Sequence, residues 1–270
     1  MMLTLSFAES FPAERRYLAK LMKLVKDNHS KLTDEEITDA TGIPTGGSTG
    51  KIHPHLKYLQ GMGLIVEDGD WYKLTPFGSV VQQMDRMLSV DITVWCCHAF
   101  LSSPETGSIL CNELNKLLYL GEGFSRAEII DRTQVSLQNK FNPDYFSPVF
   151  STYMNSTSLG KMEIITCDDN EKYRMKSAPE GLMYIPMYGA FICHWFNTYF
   201  KDVGQVSLSE FNETSGFGRV FGKKDSEVKD IFNQVAGHGY IKISNLVNPP
   251  VFSVLMTDEE CWEHLFDNMI

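Results

Sequence analysis

The 270-residue sequence contains no run of about 18 consecutive apolar residues, so it predicts no transmembrane helix. Residues 1–8 lack a positive cluster followed by an apolar stretch, and we therefore expect no signal peptide. None of the six cysteines belongs to a Cys-x-x-Cys pair, although Cys96 and Cys97 are adjacent. We expect these cysteines to be reduced, in a cytoplasmic protein with no membrane partner.

Positive charge is also scarce, because 24 Lys and Arg residues are set against 34 Asp and Glu residues and the net charge is −10. This acidity counts against a protein that coats nucleic acid along its whole surface, but it permits a local basic face. The apolar fraction of 43% is enough for real hydrophobic cores, so the sequence predicts neither a disordered chain nor a coiled-coil rod.

The first 90 residues follow the order helix, helix, turn, helix and hairpin. Apolar residues recur at helical spacing over residues 17–25, and Thr33 followed by Glu36 has the spacing of a capping box. After a glycine-rich turn, residues 48–62 form the predicted third helix. An Asp-Gly turn at residues 68–70 then separates two strand-like runs. This order is typical of a winged helix-turn-helix module.

The same order recurs twice, with irregular spacing. The second copy begins with Ser125 and Glu128 and ends in a predicted hairpin at residues 162–175. The third begins with Ser207 and Glu210 and ends in a predicted hairpin at residues 240–254.

Apolar helices fill the gaps between these copies, and the fold class follows from the whole pattern. We predict an α+β protein, mostly α, in which tandem winged helix-turn-helix modules are joined by apolar helices. The predicted N-terminal module covers residues 1–90. A helical linker and a second winged-helix-like module cover residues 91–203, and the C-terminal module covers residues 204–270.

Three short stretches carry a resemblance to a known family. They are Glu9-Ser10-Phe11-Pro12 with Tyr17-Leu18, Gly50-Lys51 with Gly63-Leu64-Ile65, and Leu74-Thr75-Pro76-Phe77-Gly78 with Asp91, Trp95 and His98. Together they resemble the bacterial domain-of-unknown-function family 4007, over residues 5–153. The resemblance implies a nucleic-acid context, since that family is encoded among phage-defence and DNA sulfur-modification genes. It implies no particular reaction.

The predicted third helix of the first copy is the main candidate for DNA contact. It is basic and contains no acid, and its N-terminal end offers hydroxyls and a glycine amide to phosphate. The preceding helix adds two adjacent arginines. The candidate DNA-binding residues of this module are Arg15, Arg16, Ser48, Thr49, Lys51, His53, His55 and Lys57.

The third copy offers a smaller set of cations for phosphate contact. Arg219, Lys223 and Lys224 lie in the predicted turn before its long helix, where acids are interleaved. A solvated helix with paired charges is the alternative for this region.

Two further patterns suggest other chemistry but have simpler explanations. Cys96-Cys97-His98 and Cys193-His194 contain zinc-ligand residue types, yet both lie in very apolar helices where packing is the expected role. Asp168, Asp169 and Glu171 lie at a predicted hairpin turn, which favours these residue types. We therefore expect no metal, no cofactor and no catalytic residue.

The leading hypothesis is a non-catalytic component of a bacterial phage-defence or DNA-modification system that binds duplex DNA. The alternative is a protein–protein adaptor that holds an ATPase, a nuclease or a sulfur-transfer enzyme without touching DNA. The overall acidity favours that alternative. Either protein belongs to a larger effector complex.

Overall fold

The computed structural model describes residues 3–46, 50–104, 107–119, 121–138 and 140–269. The chain divides into two compact units, Met1–Lys176 and Ser177–Ile270. In both units helices predominate and the strands pair only in small antiparallel sheets, which confirms the predicted mainly helical α+β class. The predicted divisions at residues 90 and 203 concern the repeated modules rather than these units, and they stay a prediction.

The N-terminal unit consists mainly of helices of eight to thirteen residues. They are α1 Arg15–Asp27, α2 Asp34–Thr41, α3 Ile52–Gly61, α4 Pro76–Met84, α5 Asp91–Leu101, α6 Ile109–Leu118, α7 Arg126–Ser136 and α8 Phe146–Met154. Short 3-10 helices occur at Pro143–Tyr145 and Leu159–Met162. Two hairpins complete the unit, β1 Ile65–Asp68 with β2 Trp71–Leu74 and β3 Ile165–Cys167 with β4 Tyr173–Met175.

The first helices form for the reasons that the sequence indicated. The apolar face of α1 is buried from Tyr17 to Val25, where it packs against α2, α3 and β2. The Thr33 hydroxyl accepts from the Glu36 N–H, and the Glu36 carboxylate accepts from the Thr33 N–H, so the capping box of α2 is confirmed. Gly69, with φ of 65°, opens the two-residue loop between β1 and β2.

The C-terminal unit surrounds one long apolar helix. Its α-helices are α9 Ile185–Tyr199, α10 Leu208–Ser215, α11 Phe217–Val220, α12 Asp225–Gly237 and α13 Asp258–Glu263, with 3-10 helices at Leu182–Tyr184 and His264–Met269. Its strands are β5 Val206–Ser207, β6 Ile241–Ser244 and β7 Val251–Val254, in the order β5-β7-β6. Strand β5 of this sheet was not predicted, because its two residues are too few to show an alternating pattern.

Aromatic side chains on α9 form the core of this unit. The Phe191 ring lies 5.4 Å from that of Phe221 and 5.3 Å from that of Trp262, while Trp195 packs on Phe217 at 6.1 Å. Such edge and tilted contacts are the preferred geometry of packed rings. Among the helices of the described residues, none is long and apolar enough to cross a bilayer.

Candidate nucleic-acid interface

Helix α3 presents one narrow polar stripe. His53, Lys57 and Gln60 are spaced at i, i+4 and i+7, so they share one face and are exposed or half-buried. The opposite face is buried, including Ile52 and Leu59. We call His53, Lys57 and Gln60 the α3 stripe. It contains no acidic residue, and Gln60 was missing from the predicted set although its spacing from His53 places it there.

The first hairpin holds two members of the α3 stripe. The Lys57 Nζ lies 3.7 Å from Glu67 Oε1 on β1, and the Gln60 amide donates a 3.1 Å hydrogen bond to the same oxygen. Both charged side chains are substantially exposed, 43% for Lys57 and 64% for Glu67. Glu67 therefore orients the stripe at an exposed position where a surface ion pair is weak and exchangeable.

The third member of the stripe also has an acidic neighbour. His53 Nε2 lies 3.0 Å from Asp34 Oδ2, at the N-terminal end of α2, and the Thr45 hydroxyl lies 3.4 Å from the same oxygen. The His53 side chain is 68% exposed. This contact links the first turn of α2 to the first turn of α3 and leaves the imidazole at the surface.

Lys51 and Arg16 share a single carboxylate, that of Glu14. Lys51 Nζ lies 2.6 Å from one Glu14 oxygen, and Arg16 Nη2 lies 3.0 Å from the other. Both cations also lie over the Tyr17 ring, at 4.4 Å for Arg16 and 5.2 Å for Lys51. Burial raises the pKa of the Glu14 carboxyl, but the hydrogen bond and charge of Lys51 and Arg16 outweigh it and leave that pKa below its usual value.

His55 lies in the interior and not at the surface. Its side chain is fully buried, its Nδ1 donates to the Lys51 carbonyl at 2.6 Å, and its Nε2 accepts from the Glu14 N–H at 3.2 Å. This arrangement requires the neutral imidazole, and burial lowers the pKa of His55 to about 4. His55 therefore joins α3 to the start of α1 and does not belong to the contact set that we propose below.

Arg15 also joins parts of the N-terminal unit. Its guanidinium donates to the Leu88 carbonyl at 3.3 Å and to the Ser156 carbonyl at 2.8 Å, while its backbone N–H donates to Thr157. These bonds tie the start of α1 to the segments after α4 and α8. Local sequence spacing could not reveal this role of Arg15, because its partners lie 73 and 141 residues away.

The turn before α3 lies partly outside the described residues. Ser48 and Thr49, both predicted to contact phosphate, fall in that gap. The neighbouring Gly50 amide donates to the Gly46 carbonyl at 2.7 Å, and the Lys51 amide donates to Pro44 at 2.9 Å. Both described amides are thus used within the turn rather than offered to an anion.

A second group of cations lies on and just after α1. Lys23 and Lys26 are exposed on the helix, and Lys31 is exposed in the segment that follows. Within the part of the chain that the structure describes, no ion pair is formed by these three lysines. Lys20, one turn before Lys23, donates to the Thr41 carbonyl at 2.6 Å. We call Lys23, Lys26 and Lys31 the α1 lysines.

The predicted cations of the C-terminal unit are less available. Lys223 is buried, with its Nζ 2.6 Å from Glu180 and 4.0 Å from Glu227. Arg219 is half-buried, and a Cβ added at Gly216 would lie 2.5 Å from its guanidinium. Lys224 is the exposed residue of the three, at the position that precedes α12.

The other motifs have structural roles. Cys96, Cys97 and His98 are buried in α5, where His98 Nδ1 lies 2.8 Å from the Tyr153 hydroxyl. In the C-terminal unit, His194 Nδ1 lies 3.0 Å from Asp258 and Cys193 is buried. No group of three or more His, Cys, Asp or Glu side chains that could hold a metal ion occurs among the described residues.

The acidic turn at residues 168–171 is also accounted for by local bonds. One Asp168 oxygen accepts from the N–H groups of Asn170 and Lys172 at 3.0 Å each, and the other accepts from Arg174 at 3.3 Å. These bonds hold the pKa of the Asp168 carboxyl below its usual value, the Lys172 amide contributing most. The carboxylate therefore shapes the β3–β4 turn, as the turn preference of Asp indicated.

The chain shares its fold with solved structures of SspB. No protein-family model and no curated protein matches it. A crystal structure of magnesium ion-bound SspB is similar with a TM-score of 0.73 and 13% identity, over 98% of this chain and 87% of the other. A second SspB crystal structure has a TM-score of 0.70 and 12% identity, with the same coverage. At these identities the similarity establishes the fold alone.

Proposed function

We propose that the chain binds duplex DNA as a non-catalytic component of a bacterial phage-defence or DNA-modification system. In this proposal the helix–helix–helix–hairpin order of α1–α3 and β1–β2 is a winged helix-turn-helix, and further winged-helix modules follow it in tandem. The observation that carries the proposal is the α3 stripe. A surface helix that exposes His53, Lys57 and Gln60 and no acid has the composition of a major-groove reading helix.

The α3 stripe supplies the donors that base edges and phosphates require. The Gln60 amide nitrogen can donate to an acceptor on a base edge, and the Lys57 ammonium can donate to guanine or to a phosphate. His53 can donate or accept, according to its protonation. Ten residues of α3 span about 15 Å, which is long enough for the stripe to cross several base pairs.

The α1 lysines supply backbone contacts in the same proposal. Exposed lysines without acidic partners can neutralise phosphates, and each such contact steepens the dependence of affinity on salt. Arg16 adds a further cation, since its side chain is 62% exposed although it also contacts Glu14. Lys224 is the one predicted cation of the C-terminal unit that we retain, because it is exposed.

The biological setting rests on the sequence resemblance. We propose that the chain is a member of the domain-of-unknown-function family 4007 and acts in the cytoplasm. The similar SspB structure is magnesium ion-bound, but the described residues of this chain offer no cluster of three or more His, Cys, Asp or Glu side chains. The proposal includes no step through a metal.

The proposal is tested by the affinity of the full chain for duplex DNA at 50 and 200 mM salt. We expect Lys57→Glu to weaken binding at least tenfold. The slope of log affinity against log salt concentration should also become shallower, by about the amount expected for one phosphate contact. Lys140→Glu is the matched control, because Lys140 is an exposed lysine of the same unit outside α1 and α3. Absence of DNA binding, or equal losses in both variants, would contradict the proposal.

One observation favours the adaptor as a second candidate function. Each cation at the exposed side of α3 has an acid within 4 Å, namely Glu14 for Lys51, Asp34 for His53 and Glu67 for Lys57. These acids reduce the local positive potential that a DNA contact requires. The adaptor would be selected if the chain formed a stable complex with an effector enzyme and bound no duplex DNA.

A further inference from the structure

The C-terminal unit exposes an apolar patch where its two terminal 3-10 helices meet. Leu182, Met183 and Met269 are 68%, 40% and 40% exposed, and Asn268 donates a 2.8 Å hydrogen bond to the Leu182 carbonyl. That bond brings the beginning and the end of the unit together. Single exposed apolar residues are common, but a cluster of them is typical of an interaction site. We call Leu182, Met183 and Met269 the apolar end patch.

A shallow depression lies beside this patch. Its lining includes Ile185, Tyr188 and Ile231, with Glu180 and Gln234 at its polar edge. The Tyr188 hydroxyl already donates to the Pro179 carbonyl at 2.8 Å, so the ring faces the depression with its polar group satisfied. Leu182 and Met183 therefore flank a small depression with a mainly apolar lining.

The segment that leads to Met269 carries negative charge. Residues 258–269 contain five acids and no lysine or arginine. Within the described part of the chain, Glu259 and Glu263 are exposed and form no ion pair. Glu260 is held ionised by the helix cap, because hydrogen bonds from the Thr257 N–H and hydroxyl lower the pKa of its carboxyl. The negative charge of the segment that leads into the apolar end patch thus favours a cationic partner.

We propose that the apolar end patch binds a basic amphipathic helix of another protein. The apolar side of such a helix would cover Leu182, Met183 and Met269, and its Lys or Arg residues would lie over Glu259 and Glu263. Methionine suits this role because its flexible thioether adapts to different apolar partners. The acids repel nucleic acid and anionic lipid from the same surface. This binding does not depend on whether the N-terminal unit binds DNA.

The probe for this site is a synthetic amphipathic helix made of leucine and lysine, with a leucine and glutamate peptide of the same pattern as its counterpart. Each is titrated into the full chain with labelled Leu and Met methyl groups, observed by NMR. We expect saturable shifts of the Leu182, Met183 and Met269 methyls with the lysine peptide and none with the glutamate peptide.

Two variants decide whether binding uses this patch. Leu182→Ser should lower the affinity for the lysine peptide by a factor of about ten or more, which corresponds to the loss of one buried leucine contact. Leu246→Ser is the matched control, since Leu246 is 95% exposed in the β6–β7 loop, and it should leave the affinity within twofold. Both substitutions are at exposed positions, so unchanged methyl signals elsewhere verify the fold. No saturable shift, equal losses in the two variants, or equal binding of the two peptides would overturn the proposal.

Discussion

If duplex DNA binds to the α3 stripe as proposed, Glu67 limits the affinity, and neutralising its carboxylate should strengthen binding. Its carboxylate holds Lys57 at 3.7 Å and accepts a hydrogen bond from Gln60 at 3.1 Å. Glu67→Gln removes the negative charge but keeps an amide oxygen that can accept from Gln60. The change therefore separates the electrostatic effect of Glu67 from its role in orienting the α3 stripe.

The size of the effect follows from two contributions. A solvent-exposed ion pair of this kind stabilises the free protein by about 0.5 kcal/mol, which DNA must overcome to engage Lys57. A carboxylate about 7 Å from a phosphate adds about 0.6 kcal/mol of repulsion in water. Together they give about 1 kcal/mol, so Glu67→Gln should bind duplex DNA about fivefold more tightly.

The assay is fluorescence anisotropy with a labelled duplex at 50 and 200 mM salt. Asp131→Asn is the matched control, because Asp131 is an exposed acid of α7 and its neutralisation changes the net charge equally. A second comparison uses Lys57→Met with and without Glu67→Gln, and the gain should fall by about half when Lys57 is absent. An unchanged affinity in Glu67→Gln, or the same gain in Asp131→Asn, would refute the reasoning.

Three further predictions concern stability and the C-terminal unit. Because burial lowers the pKa of His55 from 6.5 to about 4, its contribution to stability is present above pH 6.5 and is lost as the pH falls toward 4. In denaturant titrations the free energy of unfolding should fall by about 2 kcal/mol between pH 8 and pH 5, and His55→Gln should abolish this fall. An equal fall in the variant would disprove the assignment to His55. Gly78→Ala should lower the melting temperature sharply, since its Cβ would lie 1.9 Å from a backbone oxygen, whereas Gly237→Ala meets nothing within 4 Å and should change it little. Lys223→Met should leave DNA affinity within twofold because Lys223 is buried, while Lys224→Glu should weaken it; anisotropy showing the reverse order would reject this assignment.

The elements that the sequence predicted well are those with strong local signals. The apolar period of α1, the helix caps at Thr33 and Ser125, and the Asp-Gly turn of the first hairpin all depend on residues a few positions apart. Local propensity and local bonds decide such features, so one sequence suffices to locate them.

The candidate site was harder to predict because its partners are distant in sequence. Glu14 lies 37 residues from Lys51, and Glu180 lies 43 residues from Lys223, so no spacing rule relates them. His55 is a different case, since it lies three residues after Ile52 and four before Leu59 and thus on the buried face. The helical spacing in the sequence already places His55 with the apolar residues. The prediction of a DNA contact for His55 followed instead from the basic composition of the segment.

The helix that contains the stripe also begins later than predicted. The sequence predicted a helix over residues 48–62, while α3 covers Ile52–Gly61. Of the described residues before it, Gly46 has a φ of 130°, and the amides of Gly50 and Lys51 donate to the carbonyls of Gly46 and Pro44. The Gly50 amide, which suggested a phosphate-binding helix end, is instead bonded to the Gly46 carbonyl.

The most direct test of the central claim is photo-cross-linking to locate the DNA on the protein. A duplex containing 5-iododeoxyuridine is irradiated with the full chain, and the cross-linked peptides are identified by mass spectrometry. If DNA binds to the α3 stripe, cross-links should form to the peptide that contains His53. These cross-links should be lost at high salt and in the Lys57→Glu variant. Cross-links confined to other segments, or none at a DNA concentration that saturates binding, would contradict it.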